Sequence, residues 1–150
     1  MLIKFNDGTS TEIDDVELIK DLSNISSISG NVTIDDIYEY VDKQPQAFIA
    51  VYKKFMNESR LNRAKIHYIF SRNDLKEFTI AYYISLITLY DGSIYSLAKR
   101  DISEKFNVEV DDPILDYFDF TTYIRHNYEY CQEFYFEGKW YTVINLDELG

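Results

Sequence analysis

The sequence predicts an α+β protein: a short N-terminal β-hairpin plus helix, a central helical region, and C-terminal helices packed on an antiparallel β-hairpin. Three observations carry that expectation. Apolar residues recur at helical spacing through residues 33–56 and 93–124. Strand-like segments flank turn signals near both ends, Asn6-Asp7-Gly8 and Glu137-Gly138. The 150 residues are 46% hydrophobic and 17% aromatic, which suffices for one modest core or two small ones. Tyrosine (14) outnumbers phenylalanine (10), so much of the aromatic area suits half-buried surfaces or surfaces covered by a partner.

The elements follow in order. Leu2 to Phe5 alternates apolar and polar residues, and Ser10 to Ile13 returns as its partner strand. Asp14 or Asp15 is placed to cap a helix through Val16, Leu18, Ile19 and Leu22. Ser23 to Asn31, with four serines and a glycine, reads as a linker, which divides an N-terminal segment 1–30 from a central helical region 31–91. Thr33 with Asp36 forms a partial capping box for a helix burying Ile34, Ile37, Tyr38 and Val41. Pro45 breaks it and opens a second helix with Phe48, Ile49, Val51, Tyr52, Phe55 and Met56. Asn57 to Asn62 is a polar turn, and Leu61 to Phe70 is ambiguous. Asn73 or Asp74 then caps a helix reaching Tyr90, with a strand over Thr79 to Leu86 as the competing pattern. In the C-terminal segment 92–150, Ser93 caps a helix through Phe106, and Asp111-Asp112-Pro113 starts another with Ile114, Leu115, Phe118, Tyr123 and Ile124 to bury. A hairpin closes the chain, Glu133 to Phe136 with Lys139 to Ile144.

Composition narrows the function classes. The single Cys131 has no internal disulfide partner, the first residues turn polar at once, and the most apolar stretch, Phe78 to Tyr90, is too short to span a bilayer. A soluble, cytoplasmic protein is expected, without membrane association. His67 and His126 lack any Cys or His at ligand spacing, and no phosphate loop or nucleophile elbow occurs. No metal, cofactor or catalytic residue is therefore expected. Asp14-Asp15, Asp35-Asp36 and Asp111-Asp112 each precede or begin a helix, where acids complement the macrodipole.

Charge is the informative feature. The net charge is −11, yet its distribution is uneven: residues 1–45 hold ten acids against three bases, residues 46–105 six against ten, and residues 106–150 ten against two. Two triplets stand at positions 0, 4 and 7 of expected helices, Asp35/Glu39/Asp42 and Asp112/Asp116/Asp119, the second preceded by Asp111. On a helix such residues stack along one face and repel by about 0.2–0.5 kcal/mol per pair. Ordered rows of this kind would stand in for the phosphates of duplex DNA; a solvated amphipathic face is the alternative. The basic middle, Lys53, Lys54, Arg60, Arg63, Lys65, Arg72 and Lys76 with Tyr52, Tyr68 and Phe70, reads either as a nucleic-acid patch or as countercharge to the ends, and direct nucleic-acid binding is the less favoured.

The run from Asp116 to Arg125, Asp-Tyr-Phe-Asp-Phe-Thr-Thr-Tyr-Ile-Arg, resembles the antirestriction motif of the ArdA family. Tyr117, Asp119, Tyr123 and Arg125 match in type and spacing, and Phe118 and Phe120 replace like with like. The segment Ile94 to Val108 resembles the helix preceding that motif; the similarity covers roughly residues 92 to 144 and extends more faintly to 32. His126 stands where the family has an acid, residues before 30 are too few for its first domain, and the middle is basic rather than acidic.

ArdA proteins mimic bent duplex DNA, usually as dimers, and block type I restriction-modification complexes without a cofactor. The resemblance assigns Asp116 and Asp119 to a mimic surface, and Tyr117, Phe118, Tyr123 and Arg125 to packing or a dimer contact. The expected function is thus a cytoplasmic, non-enzymatic DNA mimic of a phage or mobile element. Its partner is a host DNA-binding defence complex, restriction or CRISPR effector, and a homodimer is possible. The alternatives are an interaction module using the aromatic surface around Tyr128, Tyr130, Phe134, Tyr135 and Trp140, and an enzyme using carboxylates and His126.

Overall fold

The computed structural model describes residues 1–16, 19, 22–71 and 80–149. The chain forms two compact units, Met1–Ile80 and Ala81–Gly150, so position 30 lies inside the first. The class is α+β, as the sequence predicts.

In the first unit, β1 (Leu2–Phe5) pairs antiparallel with β2 (Ser10–Glu12), placing Ile3 opposite Thr11 across a turn in which Gly8 adopts φ +89°. The serine-rich segment is not a linker: Ile25–Ser29 forms β3 on the other side of β1, giving the order β2-β1-β3. Its two isoleucines are three apart, which in an unbroken strand would place them on opposite faces. A register shift between Lys4 and Phe5 changes the partners from Ser27 to Ile25, so that Ile25 and Ile28 are both buried. Of the helix expected through Val16, Leu18, Ile19 and Leu22, residues 17, 18, 20 and 21 lie outside those described.

Three helices complete this unit. In α1 (Val32–Tyr40) the cap is Asn31 rather than Thr33, its Oδ1 accepting the Ile34 N–H at 2.9 Å. Pro45 opens α2 (Pro45–Asn57) at the position expected. The ambiguous stretch is α3 (Arg60–Phe70), capped by the Ser59 hydroxyl accepting the Asn62 N–H at 3.2 Å. Ile37, Phe48, Ala64 and Ile66 of the helices and Ile3 and Ile28 of the sheet are all buried, with Tyr38 edge-on to Phe48 at 5.9 Å.

All of α4 (Ile80–Leu86) but its first residue belongs to the second unit, and the helix stops four residues before the expected Tyr90; residues 80–86 are helix, not the competing strand. The cause lies far along the chain. The buried Asn145 side chain donates Nδ2–H to the Leu86 carbonyl at 2.8 Å and accepts the Thr88 N–H at 3.0 Å, catching the backbone as it leaves the helix. Leu89–Tyr90 then forms β4.

Ser93 caps α5 (Ile94–Phe106) as expected, and Asn107 ends it in the left-handed region, φ 53° and ψ 47°. The next helix differs from expectation. Pro113–Tyr117 is a 3-10 helix that leaves Ile114 exposed rather than buried, Phe118 is extended at φ −87° and ψ 140°, and α6 (Phe120–Asn127) starts anew. Phe118 leaves the helical path to place its ring 5.3 Å from Phe106 and 6.2 Å from Phe120, over a core of Ala98, Ile102, Leu115 and Phe120. The closing hairpin is β5 (Gln132–Phe136) with β6 (Lys139–Val143), joined by Glu137 and Gly138 at φ 46° and 80°, the conformation of a two-residue type I′ turn. The order β4-β6-β5 makes β5 an edge strand. Among the described residues, no helix is long and apolar enough to cross a membrane.

Candidate functional site

The first acidic triplet does not form a continuous row. Asp35 is exposed, and its Oδ1 accepts the Gly30 N–H at 3.0 Å, fastening the approach to α1. Glu39 lies one turn on and faces Lys43 Nζ at 3.9 Å, with both side chains about two-thirds exposed, a pair that contributes little. Asp42 is beyond the helix end, in a turn at φ 55°. The expected 0-4-7 stack therefore breaks after Glu39.

The second triplet departs further, because the helix it assumed is two helices. Asp111 is exposed ahead of the 3-10 turn. Asp112 is its cap, Oδ1 accepting the Ile114 N–H at 2.9 Å. Asp116 projects to solvent within it. Asp119 caps α6, accepting the Thr122 hydroxyl at 2.7 Å and the Thr122 N–H at 3.1 Å. Those bonds, the hydroxyl's first, hold its carboxyl below the ordinary 3.8. Two of the three carboxylates thus serve the local backbone, and their directions are set by separate elements.

The motif residues divide between interior and surface. Phe118 belongs to the aromatic cluster just described, and Tyr123 packs edge-on to Tyr128 at 5.8 Å. Tyr117 is 89% exposed, so it makes no intramolecular packing contribution. Arg125 and His126 are exposed in the last turn of α6, where positive charge complements the helix end.

The expected aromatic surface is smaller than the sequence suggests. Tyr128 turns inward and Phe134 stacks on buried Tyr141 at 5.9 Å; Tyr130, Tyr135 and Trp140 remain exposed. The aromatic residues of the basic middle likewise face inward: Tyr68 is buried, Tyr52 stacks on Phe48 at 5.4 Å, and Phe70 packs on Tyr40 at 5.0 Å. Arg63 donates to the Glu58 carbonyl at 3.0 Å. The three rings are thus committed to intramolecular packing rather than standing open between the cations as a nucleic-acid patch requires, and Arg72 and Lys76 lie outside the described residues.

Several polar contacts were beyond sequence reasoning. Tyr128 Oη donates to Asp101 Oδ2 at 2.5 Å, tying the end of α6 to α5, and burial together with that bond raises the phenol far above its ordinary value. Asp101 also receives Arg100 at 3.1 Å, whose guanidinium lies over the Tyr90 ring at 4.9 Å. In the first unit the half-buried His67 sits beside Asp36, with Nδ1 3.4 Å from Thr33 Oγ1; burial lowers the imidazole and raises the Asp36 carboxyl, while the two charges pull the opposite way. Burial also raises the Cys131 thiol. No spacing rule links residues 27 to 34 positions apart.

The charge of the second unit is the feature that persists. It carries thirteen Asp/Glu against five Lys/Arg, a net −8, whereas the first carries thirteen against ten. Eleven of those thirteen carboxylates are exposed; only Asp101 and Asp112 are partly covered. Among the described residues, no cluster of three or more His, Cys, Asp or Glu is placed to hold a metal ion. Comparison with known proteins finds no matching family model, no matching curated protein and no matching solved structure.

Proposed function

We propose that the chain is a non-enzymatic, cytoplasmic acidic decoy that binds the DNA channel of a host defence complex, a type I restriction-modification enzyme or a CRISPR effector, and competes there with DNA. The observation that carries this reading is the outward display of eleven carboxylates on a 70-residue unit with only five cations. Ordered rows are not needed for it. A field of one sign raises the encounter rate with a basic cleft and opposes phosphate, whatever the register of the individual charges. The resemblance of residues 116–125 to the ArdA motif supports the choice of partner.

The test is displacement of labelled duplex DNA from purified restriction and CRISPR complexes. The chain should displace duplex, and its apparent affinity should fall at least about tenfold between 50 and 200 mM salt, in line with several phosphate-like contacts. Reversal of Glu109, Asp111 and Asp116 to lysine leaves the caps Asp112 and Asp119 in place and should abolish displacement. Displacement unchanged by reversal, or insensitive to salt, refutes the decoy and returns the aromatic interaction module as the better reading.

A further inference from the structure

The far end of the β5–β6 hairpin carries two large rings that the fold leaves half open. Tyr135 and Trp140 are register partners, their ring centroids 5.4 Å apart at an interplanar angle of 67°, and they remain 56% and 49% exposed. Cross-strand aromatic pairs commonly stabilise hairpins; here the two rings meet edge to face and about half of each residue stays open to solvent, forming an exposed aromatic corner. The Tyr135 hydroxyl leans toward the turn, 4.0 Å from where a Cβ on Gly138 would stand.

Two exposed glutamates flank Tyr135 along the chain. Glu133 lies two residues back on the same strand face, held in place by its Oε2 accepting the Ile94 N–H at 3.0 Å. Glu137 is exposed in the turn itself. The neighbouring cation, Lys139, is on the other face of the strand and opposes Asp91 at 3.9 Å.

We propose that the Tyr135–Trp140 corner is a guanidinium-binding site, through which the acidic unit engages an arginine of a basic protein surface. The inference rests on the decoy reading, which requires a partner rich in arginine and lysine, and it names the side chain recognised. A guanidinium is planar and weakly hydrated, so it lies flat on a ring while its N–H edge reaches carboxylates; an ammonium does neither as well. Charge complementarity selects the occupant: an apolar or acidic segment would meet a unit of net −8.

The chain holds one tryptophan, so emission excited selectively from tryptophan, not from the 14 tyrosines, reports on this corner alone. The full chain is titrated at low salt with labelled octa-arginine and octa-lysine, reading peptide anisotropy and Trp140 emission together. Octa-arginine should alter the emission and bind about two- to fivefold more tightly than octa-lysine. Trp140→Phe, which keeps a ring, should retain that preference, and Trp140→Ala should lose it while keeping charge-driven binding. Unaltered emission on octa-arginine binding, or equal affinity for the two peptides, overturns the corner. The decoy reading is judged separately by DNA displacement: parent emission unaltered by octa-arginine, together with Trp140→Ala displacing duplex as well as the parent, removes the corner and leaves the decoy standing. Failure of both peptides to bind overturns the corner and the decoy alike.

Discussion

Asp119 has two possible contributions that one pair of substitutions separates. As a cap it needs only a side-chain oxygen, so Asp119→Asn should keep the melting temperature near that of the parent, whereas Asp119→Ala should lower it. If its charge also faces the target, both variants weaken DNA displacement equally. Because its carboxyl titrates lower in the folded protein than the ordinary 3.8, its contribution to stability is fully present above 3.8 and is lost as pH falls through the lower folded value. His67 works in a higher window. Its imidazole is also lowered, below 6.5, so the unfolded chain takes up the proton first, and stability should decline as pH falls from about 6.5. Urea unfolding at several pH values should show that slope, and His67→Gln should flatten it. Local roles of this kind were partly legible: the Ser93 cap and Pro45 follow from their immediate neighbours. The Asp101–Tyr128 bond was not, because nothing near either residue announces the other.

At the scale of elements, β3 and α4 teach the same lesson from opposite directions. Serines and a glycine signal a loop when read locally, but Ile25 and Ile28 recover a strand by pairing with β1 across a bulge. Ile28→Ala should therefore cost about 2–4 kcal/mol by urea unfolding, a loss that a true linker residue would not show. Conversely, the apolar run after residue 78 promised a helix to Tyr90, and Asn145 stops it at Leu86 by hydrogen bonds made 57 and 59 residues away. Asn145→Ala would leave the Thr88 amide without that acceptor and should cost about 1–3 kcal/mol, with faster amide exchange at Thr88. The helix pair and both hairpins were legible because periodicity and turn chemistry act within a few residues. The break at Phe118 was not, since the ring's contact with Phe106 comes from another helix.

For the whole molecule, the asymmetry of charge was plain in the sequence, but its presentation was not. The two expected rows dissolve into caps and turns, while the broad acidity of residues 81–150 stays on the surface. The candidate site is accordingly a matter of density rather than of spacing, which is why salt and multiple charge reversals test it better than any single change. One further consequence comes from β5, which is the last strand of its sheet among the described residues. Like charges keep such outer strands of separate molecules apart. The isoelectric point is about 4.5, where that repulsion vanishes. Light scattering should accordingly rise as a solution is acidified toward that value, and clear again when base is added before the strands have had time to zip into fibres.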